Sequence, residues 1–154
     1  MNWEAIGAVA EALGATGVIA TLAYLATHMK QNTRALRSGA LEAYRTELTD
    51  ILNFSSQHLD VFSKARKGAG LTDSERRIVQ SYAQRLFGLM ETVFLNHKDG
   101  SVSDEVFEAR MAGFRRAMRT DFLRKSWPVW KQYDLTESFI DYVESEIFDR
   151  SSQE

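Results

Sequence analysis

The chain has 154 residues, 44% hydrophobic and 26% charged, with a net charge of −2 and no cysteine. That size holds one folded domain beside a helical anchor, and the missing cysteines exclude disulfides, thiol catalysis and thiolate metal sites. The near-neutral balance leaves no basic surface of the extent that generic nucleic-acid binding needs, so no nucleic-acid partner is expected.

The first element is the run AIGAVAEALGATGVIATLAYLAT, residues 5–27, with one formal charge, Glu11. As a helix at about 1.5 Å per residue it reaches roughly 34 Å, enough for a bilayer core of about 30 Å. A membrane-spanning helix over residues 1–28 is therefore expected, followed by a helical bundle over residues 29–150 and a polar tail over residues 151–154. Two alternatives stand beside it, a helix buried in a soluble oligomer and a helix lying in the membrane interface. A cleaved signal peptide fits poorly, because Met1, Asn2, Trp3 and Glu4 include no Lys or Arg. Lys30, Arg34 and Arg37 follow the run, which places the N-terminus outside and the rest in the cytoplasm. Trp3 and Tyr24 stand near its ends, where amphipathic rings favour the interface or simply pack.

Glycine, threonine and alanine dilute this run, so insertion alone would be marginal. Ala12, Thr16 and Ala20 recur at every fourth position, as do Ala10 and Gly14, and Gly17 and Thr21. Such spacing lets two helix backbones approach closely in a membrane, which marks Ala12, Gly14, Thr16, Gly17 and Ala20 as candidate association residues. Glu11 is the candidate intramembrane polar site, as a pore-lining group, a proton-linked gate or an interhelical hydrogen bond. Its alternative is a tolerated carboxylate that reaches the outer head groups.

Nothing stops the helix after Thr27. Ala35, Leu36, Ala40, Leu41, Tyr44, Leu48, Ile51 and Leu52 keep a helical spacing to about Phe54, and Gly39 is the one strong breaker. Within it Leu22, Leu25, Met29, Asn32 and Leu36 step alternately by three and four, the pattern of a coiled-coil seam with one polar position or of a helix packed on its own bundle. A short helix is expected over residues 58–67, ended by Gly68, Ala69 and Gly70. Thr72 and Glu75 then form a capping-box pattern opening a central helix to about Lys98, with Asp99 and Gly100 as its stop. Ser103 or Asp104 caps a further helix to about Arg119. Phe122, Leu123, Trp127 and Trp130 make an aromatic-rich segment around the sole proline, Pro128. The last helix starts near Leu135 or Thr136, with Thr136 or Asp134 as its cap. With one proline and few β-branched runs, the chain reads as all-α.

The chemistry is thin. No two of His28, His58 and His97 are four residues apart, and none has a glutamate at three, so no metal site and no cofactor are expected. His97 reads as a capping or packing residue. Glu91, with Phe87 and Leu95 a turn away on either side, is placed to hydrogen-bond Arg85, Arg115 or a tyrosine. Arg115, Arg116, Arg119, Arg124 and Lys125 form a local basic run suited to lipid head groups, acidic partners or simply water. Trp127, Trp130 and Tyr133 are candidates for an aromatic pocket or for core.

The run Trp3-Glu4-Ala5-Ile6-Gly7-Ala8, then Ala10-Glu11-Ala12-Leu13-Gly14-Ala15, Leu22-Ala23-Tyr24-Leu25-Ala26 and Lys30-Gln31-Asn32-Thr33-Arg34-Ala35-Leu36 resembles the opening of a widespread group of small bacterial proteins of unknown function. Glu91, Phe94 and His97 ahead of Asp99-Gly100 are similar to that group as well. The resemblance implies a bacterial origin and a membrane-anchored helical architecture, and it supplies no activity and no site residues. The span here is richer in glycine and threonine than the group's usual version. The expected protein is thus a single-pass bacterial inner-membrane protein that acts by association rather than catalysis. Its partners would be membrane lipid and either further copies of itself, as a homo-oligomer, or a larger membrane complex that it serves as an accessory subunit. A channel-like or ligand-binding assembly with Glu11 in a helix-lined path is the alternative.

Overall fold

A computed structural model describes the backbone of residues 3–132 and 135–148, with side chains for all of these except residues 3–10, 12, 13 and 15. The described residues are helical and contain no strand. In chain order the helices are α1 (Trp3–Gln57), α2 (Leu59–Arg66), α3 (Asp73–Lys98), α4 (Asp104–Ala117), α5 (Asp121–Trp130) and α6 (Glu137–Val143), and a π-helical turn, Glu144–Phe148, continues α6. The chain divides into two compact units, residues 1–39 and 40–154, and α1 contributes to both. The boundary at residues 28/29 expected from charge marks where apolar sequence ends; the division at residue 39 marks where packing begins.

In the first unit α1 is helical through Gly39, because the stretch has no proline to interrupt the backbone ladder and a lone glycine weakens a helix without ending it. Among the described residues no helix is long and apolar enough to cross a membrane. The first part of the expected span lies among residues whose side chains are not described.

The second unit is a bundle around α3. Thr72 caps α3: its hydroxyl accepts the Glu75 N–H (3.3 Å) while the Glu75 carboxylate accepts the Thr72 N–H (2.8 Å), the reciprocal bonding its sequence announces. Lys64 of α2 pairs with the same Glu75 and so ties α2 to the start of α3. These bonds hold the Glu75 carboxyl down at about 2, the Lys64 contact contributing most. Gly68 and Gly100 sit just past the ends of α2 and α3 at φ of 66° and 80°, a left-handed backbone that glycine adopts without strain.

One face of α3 carries Leu86, Phe87, Met90, Val93 and Phe94 into the core, where Ile51 of α1, Met111 and Phe114 of α4, Leu123 and Trp127 of α5, and Phe139 and Val143 of α6 meet it. Phe139 lies between three rings, with centroids 5.6 Å from Phe94 and 6.3 Å from both Phe114 and Trp127, and Phe94 in turn lies 5.1 Å from Tyr142. The aromatic segment around Pro128 is itself a helix, α5, which the aromatic pattern alone did not announce. Proline removes one backbone donor, and α5 ends two residues later at Trp130. Val61, Phe62, Ala65 and Val79 form a smaller cluster between α2 and α3.

Candidate association surface

The candidates fall into two kinds, polar groups in the bundle and apolar groups on α1. In the bundle the polar candidates hold helices together. Glu91 does not bond Arg85 or Arg115; its Oε1 accepts the Thr136 N–H at 2.6 Å, satisfying a free amide at the start of α6. Thr136 is the N-cap residue and its own side chain makes no cap bond, while Glu91 receives the Thr136 N–H from α3, the bond that an N3 carboxylate makes in a capping box. Arg85 lies over the Phe54 ring at 5.1 Å, and Arg115 bonds Glu108 at 2.8 Å. His97 stacks on Phe107 with centroids 4.0 Å apart, and its Nε2 lies 2.8 Å from Asp104 Oδ1, which joins the end of α3 to the start of α4. Glu91, Phe94 and His97 thus occupy one side of α3 and fasten α4 and α6 to it.

The basic run is dispersed. Besides Arg115, Arg124 lies over the Phe148 ring at 5.3 Å, and Lys125 stands 3.9 Å from Asp121. Trp127 is buried, Trp130 is half-buried, and Tyr133 and Asp134 lie outside the described residues. Lys131 bonds Glu144 at 2.7 Å and holds that carboxyl below its ordinary range, tying α5 to the π-helical turn.

Sequence reading did not announce the concavity of about 220 Å³ lined by Phe62, Arg66, Tyr82, Thr120 and Phe122. Burial pushes the Tyr82 hydroxyl up, against the pull of the Arg66 charge. Its lining includes no carboxylate or histidine, and its hydroxyls are those of Ser55, Tyr82 and Thr120. Among the described residues no polar or charged side chain is fully buried, and none form a group of three or more that is placed to hold a metal ion.

On α1 the situation is reversed. Val18, Leu22, Leu25, Met29 and Leu36 are 60%, 60%, 49%, 71% and 59% exposed, whereas the core residue Phe87 is 1% exposed. At 3.6 residues per turn, these five and Asn32 fall on one narrow stripe. Ile19 and Tyr24, also exposed, lie to either side of it. The sequence had marked the stripe from Leu22 to Leu36; exposure extends it to Val18.

The threonines in this region bond their own helix. Thr21, Thr27 and Thr33 hydroxyls donate to the carbonyls of Gly17, Ala23 and Met29 at 2.8, 2.9 and 2.9 Å. Their polar groups are therefore satisfied within α1, as a helix in apolar surroundings requires. Of the small candidates, Gly14, Thr16, Gly17 and Ala20 are exposed, and a Cβ placed on Gly14 or Gly17 would meet no neighbour. Ala12 lies among the residues whose side chains are not described. Thr16 and Ala20 fall on roughly the opposite side of α1 from Leu22 and Leu25. Glu11 is exposed and falls on the same side as Val18 and Leu25, seven and fourteen residues on.

No protein-family model, curated protein or solved structure matches the chain.

Proposed function

We propose that this chain is a non-enzymatic, membrane-anchored helical protein that acts by association, with α1 as the anchoring and pairing element and the bundle as its cytoplasmic domain. The observation that carries the reading is the exposed stripe from Val18 to Leu36. An isolated apolar side chain on a surface is ordinary, but five large ones aligned on one helix face need a cover of lipid or of other helices. The apolar run of residues 5–27 supports lipid for its first part, and the cations Lys30, Arg34 and Arg37 beyond it suit the anionic cytoplasmic leaflet. The resemblance of the opening residues to a group of small bacterial proteins supports a bacterial, membrane-anchored helical architecture, and the cations after the run support an N-terminus outside. The protein assembles with copies of itself or serves as an accessory subunit of a larger membrane complex.

Separating the native membranes tests this reading. The full-length chain should stay with the membrane through a carbonate wash and leave it in mild detergent. Recovery in the aqueous fraction without detergent overturns the anchor. A second reading has one favouring observation, the position of Glu11 on the line of Val18 and Leu25. In it, carboxylates of neighbouring copies line a polar path between helices. Glu11→Gln should then change proton or cation flux in liposomes, and equal flux in parent and variant overturns it.

A further inference from the structure

We propose that α1 pairs with a second copy of the same chain, parallel and in register, as a short left-handed coiled coil along Val18, Leu22, Leu25, Met29, Asn32 and Leu36. This rests on the association reading above and names its partner. The spacing runs four, three, four, three, four, so Leu22, Met29 and Leu36 take the a positions of a heptad and Val18, Leu25 and Asn32 the d positions. All six side chains are exposed.

Charge placement selects the occupant. In a coiled coil the e and g positions flank the seam and choose the partner by charge. Here those positions are Ile19, Thr21, Ala26, His28, Thr33 and Ala35, with no Lys, Arg, Asp or Glu among them. The cations of the segment, Lys30, Arg34 and Arg37, fall at b, f and b, on the far side of the helix. A second copy therefore meets no like charge across the seam, and a charged foreign helix finds no opposite charge to recognise. The flanking hydroxyls of Thr21 and Thr33 are bonded within their own helix, so the contact leaves neither unsatisfied.

Asn32 sets direction and register. In parallel, in-register pairing it faces the Asn32 of the other copy and the two amides bond each other. A shift by one heptad, or an antiparallel arrangement centred elsewhere, buries the amide against leucine or methionine without a partner. The six positions span about 28 Å, a short seam that is weak between freely diffusing chains. Confinement to one membrane supplies the effective concentration that it needs.

The chain has no cysteine, so one introduced cysteine is its only thiol. Leu25→Cys, Leu36→Cys, Thr16→Cys, Ala20→Cys and Arg34→Cys variants of the full-length protein are oxidised mildly in native membranes, and the disulfide dimer is measured. All five positions are exposed, so none of the substitutions disturbs a core. A parallel seam brings only the first two pairs within disulfide reach, and they should cross-link about tenfold or more faster than the other three. Preferential cross-linking at Thr16→Cys and Ala20→Cys overturns the seam in favour of the small-residue face, and equal rates at all five reduce it to random collision. Absence of cross-links in a chain that migrates with a larger complex overturns self-pairing while leaving the association reading in place. A chain that leaves the membrane without detergent overturns both.

Discussion

The two units of this chain put similar side chains to opposite uses. In residues 40–154 the large apolar groups point at one another: Phe87, Phe114, Phe139, Ile51 and Leu123 are almost wholly removed from solvent. In residues 1–39 Val18, Leu22, Leu25, Met29 and Leu36 lie open along one line of α1. The bundle satisfies most of its hydrophobic demand internally and leaves Leu52, Leu59, Leu95 and Val129 exposed. The described side chains in the N-terminal part of α1 do not, and lipid or another helix is the cover proposed for them. Glu91, His97 and Glu144 of the bundle bond other helices, whereas hydroxyls in both units, Thr92 and Ser126 as well as Thr21, Thr27 and Thr33, bond their own helix.

Substitutions should reproduce this contrast in size. Phe139→Ala removes a ring packed against Phe94, Phe114 and Trp127, and its cost in chemical denaturation should be about 3–5 kcal/mol. Thr72→Ala deletes the hydroxyl that accepts the Glu75 N–H, for a loss of about 1 kcal/mol in the same measurement. Glu91→Ala frees the Thr136 N–H at a half-exposed site and should cost up to about 1 kcal/mol, with hydrogen exchange in α6 rising first. Leu25→Ala should leave unfolding of the bundle within about 0.5 kcal/mol of the parent, although leucine is a typical core residue. A large effect there would mean that Leu25 is buried in the protein's working state by the bundle itself, which would break the contrast.

Acid should act on the bundle through Glu75. Its carboxyl is depressed from 4.5 to about 2 by Lys64 and Thr72, so the folded state holds the proton less readily than the unfolded chain does. The stabilisation is fully present above about 4.5 and is lost as pH falls toward about 2. Glu75→Gln should flatten that part of the stability profile, and an unchanged acid slope would count against these contacts.

Much of the bundle was legible in the sequence because local rules fixed its punctuation. Thr72 and Glu75 marked the start of α3, and Gly68 and Gly100 marked the ends of α2 and α3. α5 was not legible as a helix, since its pattern is dominated by aromatic residues and Pro128, and only packing on Phe87 and Phe139 shows which face is inward. The role of Glu91 was hidden for a related reason. Its partner is a backbone amide 45 residues away, and no spacing rule reaches that far. In α1 the step pattern from Leu22 to Leu36 was visible, but the exposure of that stripe depends on tertiary packing, which periodicity does not encode.

The native mass of the full-length protein tests most directly whether α1 is an association element. Extracted in mild detergent from its own membranes, the chain should run as a discrete species larger than its 17.5 kDa monomer, either a whole multiple or a larger complex. A monomer of 17.5 kDa recovered in the aqueous fraction without detergent would contradict both the anchor and the pairing.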